Sequence, residues 1–545
     1  MSLVLHPVID EILTKRGING EDRENFLNPQ YEKLHNPFLM KDMDKAVARV
    51  KRAFDEGETI AVYSDYDADG IPGGVMLRKA LEQSDAKVFP YIPDRHADGF
   101  GFHANSISGL KEKDVGLIIT VDCGIANNEG VSAAEDAGID VIITDHHEAP
   151  GELPKAFAIL NPMQPDCGYP FKGLCGAGVV FKLVQALQQK SVLRLPEGQE
   201  KWLLDLVAVA TIADMVPLTG ENRIFANFGL KVLQKTRRLG LRALLDALRL
   251  GNGNGVSEDD VSFSIAPRIN AASRMGEARL AYDLLATENE KEAIALAHEL
   301  EQVNNSRKGV VASIIKEAHS RIEEGNLAEK EILVLGSTHW RPSLLGLVAT
   351  NLVEKYNVPV FLWGEDGSGE IRGSCRGNGT VSMHELMKAT NGNFLQFGGH
   401  REAGGFTVVK EKIHHLADVL IKAKEKLLSK DKESGSADAV ISLTDINNHF
   451  LKSLFSLRPF GLANEKPLFH FPKTWADESK MFGKNSEHLE IIFSQGNSRA
   501  RAIKFFAGDS FKNRADGGSI DIFGHIEEDP FRGRDAWRVR IVEIK

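Results

Sequence analysis

Three aspartates on alternate residues, Asp65, Asp67 and Asp69, stand directly behind the apolar run Ile60 to Tyr63 and are followed at once by Gly70. Carboxylates so close together at the end of a buried strand repel one another unless positive charge sits among them. A divalent cation is the economical answer, and oxygen ligands favour Mg²⁺, Mn²⁺ or Ca²⁺ over soft-ligand metals. The spacing Asp-x-Asp-x-Asp-Gly also opens a calcium loop of the EF-hand type. That loop needs Glu at its twelfth position. Counted from Asp65 the twelfth residue is Met76, and the segment before the aspartates is strand-like rather than helical.

Two more polar clusters follow strand-like runs: Asp122-Cys123-Gly124 after Leu117 to Val121, and Asp145-His146-His147 after Val141 to Thr144. Together with Thr59 to Tyr63, Lys87 to Tyr91 and Ala156 to Leu160, these runs alternate with helical patterns from about residue 46 to 215. The alternation predicts a parallel, doubly wound sheet, in which ligands gather beyond the carboxyl ends of the strands. All three clusters are expected on that edge. A helical stretch from Lys201 ends in Ala213-Asp214-Met215-Val216-Pro217, where the proline turns the chain out of helix and leaves Asp214 near a terminus.

Helical periodicity continues with few breakers over 288–326, which predicts a long connecting helix between two halves. A second α/β segment follows, with strands expected at Glu331 to Leu335 and Val358 to Trp363, then glycine-rich stretches at Gly367 to Gly379 and Gly398-Gly399-His400. The polar run Ser429 to Ala437 reads as a linker. Beyond it, short strand-like runs alternate with turns as in a small β-barrel, and the last of them carries Arg532, Arg534, Arg538 and Arg540. The expected division is therefore an N-terminal segment 1–45, a parallel-sheet domain 46–220, a helical connector 221–328, a second α/β domain 329–430 and a barrel 438–545. A chain of 545 residues is too long for one core.

The formal charge of -10 argues against a surface coated in Lys and Arg, so a nucleic-acid site must be a local basic groove or be aided by bound cations. The cysteines Cys123, Cys167, Cys175 and Cys375 form no CxxC pair and are too sparse to staple the chain, which fits a reduced cytoplasm. No apolar run is long enough to cross a bilayer and no charged-then-apolar leader opens the sequence, so neither secretion nor membrane spanning is expected.

Read in order, Asp65-Tyr66-Asp67-Ala68-Asp69-Gly70, Val121-Asp122-Cys123-Gly124, Asp145-His146-His147 and Ala213-Asp214-Met215-Val216-Pro217 resemble the metal motifs of the DHH phosphoesterase superfamily. Pro267-Arg268-Ile269-Asn270-Ala271-Ala272-Ser273-Arg274-Met275-Gly276 and Phe397-Gly398-Gly399-His400 extend the likeness over nearly the whole chain, to the RecJ family of exonucleases that degrade single-stranded DNA from the 5′ end. The resemblance implies two Mn²⁺ or Mg²⁺ ions held by Asp67, Asp69, Asp122, His146 and Asp214. Asp65 would orient the loop or a coordinated water, and His147 would contact the scissile phosphate or a carboxylate behind the ligands. Paired ions acidify a shared water and neutralise charge growing on the phosphate, so water is the expected nucleophile.

The same resemblance implies phosphate contacts from Arg95, Arg268, Asn270 and Arg274. On the second α/β domain it implies a surface of Arg372, Ser374, Arg376, Gly399 and His400 that receives the strand end, where a 5′-phosphate pocket would set polarity. A narrow passage between the two α/β domains would admit only unpaired substrate, and an oligonucleotide-binding (OB-like) barrel would raise affinity by stacking bases and tracking phosphates. A single-strand-binding protein and a RecQ-type helicase are implied partners, for a monomer located in the cytoplasm. Three stretches depart from the family pattern. Arg341 replaces the usual His in Trp340-Arg341-Pro342-Ser343-Leu344-Leu345-Gly346, and an Arg can bind phosphate but cannot shuttle protons near neutral pH. Ser273 replaces a favoured Gly, and Pro459-Phe460-Gly461-Leu462-Ala463-Asn464-Glu465 lacks the usual Gly-Asn-Pro order.

Plainer readings compete for several residues. A lone Asp145 would be a strand-end cap, His103 and His384 read as surface or satisfied histidines, and the arginines at 532–540 alone read as a solvated strand face. Cys123 reads as packing, and the glycine-rich stretches, which match no P-loop lysine pattern, could be plain turns. Competing functions are a DHH-type phosphodiesterase acting on short oligonucleotides or cyclic dinucleotides, which needs no barrel, and a non-catalytic replication scaffold, whose decay would remove metal carboxylates that here all remain.

Overall fold

The computed structural model describes residues 4–545 apart from 96–97, 252–254, 391, 428–436, 484–485, 506, 508–517, 530–531 and 533–535. The expected linker at Ser429 to Ala437 therefore lies, but for Ala437, outside the described residues, as does Arg534.

The first sheet comprises β1 (Thr59–Ser64), β2 (Lys87–Tyr91), β3 (Val115–Val121), β4 (Asp140–Thr144) and β5 (Ala158–Leu160), all parallel in the order β2-β1-β3-β4-β5. Both faces are covered, as a parallel sheet requires. Alternate residues enter different cores: Ile60 and Val62 of β1 pack with Ile71, Val75 and Val180, whereas Ala61 and Tyr63 pack with Phe102, Ile118 and Ile143. The helices after residue 220 are not a separate layer. Phe225, Leu241, Ile269, Tyr282 and Leu300 join the same core as Ile60 and Val62. The long helix Glu290–Glu324 has 35 residues, about 50 Å at 1.5 Å per residue, and packs against helices Leu239–Ala247 and Ala266–Met275 before reaching the second α/β unit.

That unit holds β6 (Leu333–Ser337), β7 (Val360–Glu365), β8 (Ile371–Arg376), β9 (Phe394–Gly399) and β10 (Ala403–Val408) in the order β6-β7-β8-β10-β9, parallel only between β6 and β7. The first two strands begin two residues later than the sequence suggests. Pro359 has no N–H to give a ladder, and its carbonyl instead accepts from Leu333 N–H at 2.9 Å. The glycine-rich stretch Gly367 to Gly379 is not a plain turn, since it contains β8, whereas Gly398-Gly399-His400 ends β9 and begins the turn into β10. A side chain at Gly373 would stand 2.2 Å from the Phe406 ring and 2.4 Å from the Leu362 carbonyl, so the glycine permits close packing rather than a bend.

The C-terminal strands β11 (Ala439–Val440), β12 (Phe469–Phe482), β13 (His488–Gln495), β14 (Ser498–Lys504), β15 (Ser519–Glu528) and β16 (Trp537–Ile544) run β11-β12-β13-β14-β16-β15. Pairing of β12 with β15 closes them into a barrel. The N-terminal helix Pro7–Lys15 inserts Ile9, Ile12 and Leu13 into the barrel core beside Phe450, Leu454 and Phe469. The expected arginine stripe is dispersed. Only Arg538 and Arg540 lie on β16, and Glu527 of β15 approaches them at 3.7 and 3.1 Å.

Arg223 pins this barrel to the first domain. Only 2% exposed, it donates to the carbonyls of Phe26 (2.6 Å), Leu457 (3.0 Å), Arg458 (3.0 Å) and Pro459 (3.4 Å), and burial pushes its guanidinium down to about 9. Removing the donor strands buried acceptors, each costing about 1–3 kcal/mol. Arg223→Met is therefore expected to lower unfolding stability by roughly 3 kcal/mol or more in urea titrations. A loss within experimental error would show that the fork does not brace the barrel.

Candidate metal centre and cleft

Each acidic cluster begins one residue beyond its strand, and the parallel ladder continues into it. Asp65 N–H donates to Val121 O (3.0 Å), Asp122 N–H to Thr144 O (2.9 Å) and Asp145 N–H to Leu160 O (3.0 Å). The ladder thereby aligns three chain segments at one sheet edge. Asp214 arrives there from another direction, as the C-cap of helix Leu204–Ala213.

Oxygen and nitrogen atoms of these residues fall into overlapping groups, with all atoms of a group within 4.8 Å: Asp65, Asp67 and Asp122; Asp69, His146 and Asp214; Asp122, His146 and His147. His146 Nε2 lies 3.2 Å from Asp122 Oδ1, 3.6 Å from Asp214 Oδ2 and 3.8 Å from Asp69 Oδ2. Burial and the neighbouring His147 charge push His146 down to about 4, leaving a neutral imidazole whose nitrogen is free to ligate. The sequence reading kept Asp65 apart from the ligand set, whereas here its carboxylate is grouped with those of Asp67 and Asp122.

Backbone dipoles hold part of this charge. Asp69 accepts from Gly176 and Ala177 N–H, at 2.6 and 2.7 Å, where helix Gly176–Gln189 begins. A side chain at Gly176 would meet Asp122 Cβ at 2.6 Å, so only glycine lets this helix end come so near. Asp67 Oδ1 accepts from Asp69 and Gly70 N–H at 2.8 and 3.1 Å. Asp65 Oδ1 and Asp122 Oδ1 are buried with no hydrogen-bond donor among the described residues. Burial first, then the surrounding carboxylates, raise Asp122 well above the usual range, Asp69 to about 7 and Asp214 to about 9. Undonated buried oxygens, carboxylates held toward their neutral form and one neutral imidazole are the donor set a pair of hard divalent cations fits.

Asp145 stands behind this set. Its Oδ1 accepts from His146 and His147 N–H and lies 2.7 Å from His147 Nδ1, while Oδ2 accepts from Ile125 N–H. Burial alone would raise its carboxyl, yet the hydrogen bond and charge of His147, with the Ile125 N–H and His146, together outweigh burial and hold it low. Asp145 thus caps the strand end and aims His147. Cys123 packs in the core below, as the plain reading expected.

Beside the acidic edge lies a cleft of about 1510 Å³, with Tyr66, Arg95 and Phe100 on one wall and Arg341, Arg372 and Phe397 on the other. Arg95 lies over the Tyr66 ring at 4.9 Å and donates to Ser273 Oγ at 3.4 Å. Arg274 donates to Ser343 O at 2.5 Å, and burial together with Arg95, Arg307 and Arg376 pushes it down to about 9. Arg372, Ser374 and Arg376 share one face of β8. Arg372 is engaged by Asp366 (2.8 Å) and Glu370 (3.0 Å). Gly399 and His400 form the exposed β9–β10 turn, where His400 N–H donates to Ala403 O.

Two of the expected substrate contacts also hold the protein itself together. Arg268 pairs with Glu301 of the long helix at 2.5 Å and donates to Ser264 O at 2.8 Å, away from the cleft lining. Asn270 Oδ1 accepts from Ala68 N–H at 2.9 Å and so fixes the aspartate loop. His103 was read as satisfied or on the surface, yet it lines the cleft with Nε2 buried and unpartnered, whereas His384 is a surface residue beside Glu385. Phe100, 51% exposed and 5.2 Å from the His147 ring, escaped the sequence reading. Its position between Gly99 and Gly101 was the available signal.

Comparison with known proteins agrees with this architecture. Residues 59–211 match the DHH family, N-terminal domain, residues 329–426 the DHHA1 domain and residues 437–543 the RecJ OB domain. The chain is 34% identical to the single-stranded-DNA-specific exonuclease RecJ of Bacillus subtilis, over 98% of this chain and 67% of that protein. It is 30% identical to RecJ of Haemophilus influenzae, over 92% and 89% respectively. The crystal structure of RecJ from Thermus thermophilus in complex with Mn²⁺ superposes with a TM-score of 0.84 at 28% identity, covering 100% of this chain and 76% of that one. In domain order, in fold and across nearly all its length, the chain belongs to the RecJ family of the DHH phosphoesterases.

Proposed function

We propose that the chain is a metal-dependent exonuclease that hydrolyses single-stranded DNA from a 5′ end to mononucleotides, in DNA repair and recombination. The observation that carries this reading is the apposition of opposite charges: a buried carboxylate and imidazole cage opening beside a cleft walled with guanidinium groups. Such a pairing suits a phosphodiester, whose oxygens need cations and whose attacking water needs a base. Asp65, Asp67, Asp69, Asp122, His146 and Asp214 would hold two Mn²⁺ or Mg²⁺ ions. When bound, these supply an acidified water and neutralise phosphate charge.

The remaining work falls to the chain's own side chains. Arg95 and Arg274 bind and orient the phosphate that enters between the domains. The Asp145–His147 contact, at 2.7 Å, keeps the imidazole in one orientation beside that phosphate. Arg372 and Arg376 receive the terminal phosphate, and Arg341 adds a third fork in place of a proton carrier. On the barrel, Trp475, 57% exposed, and the stacked pair His470 and Phe523 (4.2 Å) offer faces on which bases stack. A barrel is of no use to an enzyme of dinucleotides, and retention of every metal carboxylate argues against a scaffold. A single-strand-binding protein and a RecQ-type helicase are the partners this reading carries with it, for a monomer acting in the cytoplasm. Among the described residues no helix is long and apolar enough to cross a membrane.

With Mn²⁺ and a 5′-phosphorylated single strand, mononucleotides are expected. Asp122→Ala should lower kcat on the order of 10³-fold or more while strand binding persists. Absence of mononucleotide release by the wild-type protein would refute the proposal.

The raised carboxyls fix the pH behaviour. Between the unfolded value of 3.8 and the folded values of about 7 for Asp69 and about 9 for Asp214, the folded metal-free chain binds more protons than the unfolded chain. Metal-free stability should therefore fall as pH rises from 5.5 to 8, while the increase in Tm produced by Mn²⁺ grows, because the ion competes with protons. Thermal unfolding with EDTA and with Mn²⁺ at each pH reads both trends. An increment independent of pH would contradict the assignment of these carboxylates as ligands.

A further inference from the structure

A second cavity, of about 450 Å³, lies away from the cleft, and neither the metal centre nor the strand path accounts for it. Its charged and aromatic lining is Lys79, Trp202, Asp205, Arg237, Arg238 and Glu288, beside apolar residues that include Leu203, Leu239 and Leu285. Its charges are unequally matched. Asp205, 1% exposed, accepts from Thr236 Oγ1 (2.6 Å), Leu206 N–H (2.8 Å) and Arg238 Nε (3.2 Å), so its charge is met within the protein. Lys79 is met by Glu288 at 2.7 Å. Arg237 has no acidic partner among the described residues. Its guanidinium lies 3.8 Å from the centroid of the Trp202 ring, which holds the fork while leaving its N–H edge open. Arg238 is fixed through Nε, and among the described residues its terminal amino groups have no acceptor.

We propose that this cavity binds a nucleoside 5′-monophosphate, with the phosphate on Arg237 and Arg238 and the base against the leucines beside Trp202. The volume suits one nucleotide and excludes a strand. The identification of the occupant rests on the exonuclease reading, since that reaction releases molecules of this class. The site's position gives it a consequence. Helix Gly70–Glu82 starts next to Asp69 and carries Lys79 at the cavity, while helix Leu204–Ala213 starts at the cavity with Asp205 in its first turn and ends at Asp214. Two rigid elements, about 20 and about 15 Å long, thus join the cavity to metal-centre carboxylates, and an occupant that shifts either helix is felt there. The cavity is a product-sensing site: its occupation lowers turnover without competing with the strand.

The test uses the full chain in EDTA with its cleft saturated by a short single strand, titrated calorimetrically with 2′-deoxyadenosine 5′-monophosphate. One binding event should persist under these conditions. Arg237→Ala, a change at an exposed side chain outside the catalytic machinery, should weaken it by about tenfold or more. With Mn²⁺, added nucleotide should lower kcat but not raise KM for the strand, and R237A should abolish that effect without altering the rate measured in its absence. Heat that vanishes once the strand is bound, or that R237A leaves unchanged, would overturn the site. Binding through Arg237 that leaves kcat untouched would overturn the sensing role. Equal binding of inorganic phosphate would remove the base from the proposal. Binding of an acidic peptide through Arg237 where the nucleotide fails would make the occupant a protein. Loss of strand cleavage in the wild-type chain would refute only the exonuclease reading, because the titration is run without turnover.

Discussion

Mutual repulsion among crowded carboxylates, buried or half-buried, governs this molecule. Asp65, Asp67, Asp69, Asp122 and Asp214 meet at one sheet edge, and a cluster of that charge unfolds its own surroundings unless opposed. The fold opposes it unevenly. Two N–H groups at the start of helix Gly176–Gln189 hold Asp69, two at the start of helix Gly70–Glu82 hold Asp67, and the backbone with one imidazole holds Asp145. Among the described residues Asp65 Oδ1 and Asp122 Oδ1 have no hydrogen-bond donor. Fixed dipoles thus place the aspartates, and the undonated oxygens are what a cation would complete.

The charge on the other side of the reaction comes from further along the chain. Arg274 reaches across to Ser343 O, and Ser343 Oγ in turn donates to Arg274 O at 3.0 Å, so the cationic cleft is also the seam between two α/β units. Helix Glu290–Glu324 sets the separation of those units, with Arg268 and Glu301 locking its first half to the domain that carries the aspartates. Arg223 plays the same part for the barrel. Strand binding and chemistry are therefore housed in different units whose relative placement is held by a few buried guanidinium groups, each gripping main-chain carbonyls or a single carboxylate.

Legibility followed the range of the interactions concerned. The parallel strands, the long helix and the acidic turns were readable because each is a local pattern: short continuous β-branched runs, unbroken helical spacing, carboxylates immediately past a strand. The partners of Arg268 and of the β16 arginines were not legible for the converse reason. These partners, Glu301 and Glu527, lie on other elements, and nothing in the local run announces them. His103 looked bland because exposure and satisfaction belong to the surroundings of a side chain, not to its neighbours in sequence. The glycine-rich strands were ambiguous because glycine serves close packing as readily as turning, and only the Phe406 ring over Gly373 separates the two uses.

The order of residues alone settles the chemical inventory of this protein: hard oxygen donors, one imidazole pair and scattered guanidinium groups on a framework of alternating strands and helices. Propensity and periodicity act over a few residues, so they carry that far. Folding settles which of those groups meet. Ladder pairing brings Asp65, Asp122 and Asp145 level, helix packing delivers Asp214, and the leftover acceptors and unpaired arginines define where ligands go. Those meetings arise from contacts between segments remote along the chain, whose free energy belongs to the assembled core and to no single stretch of it.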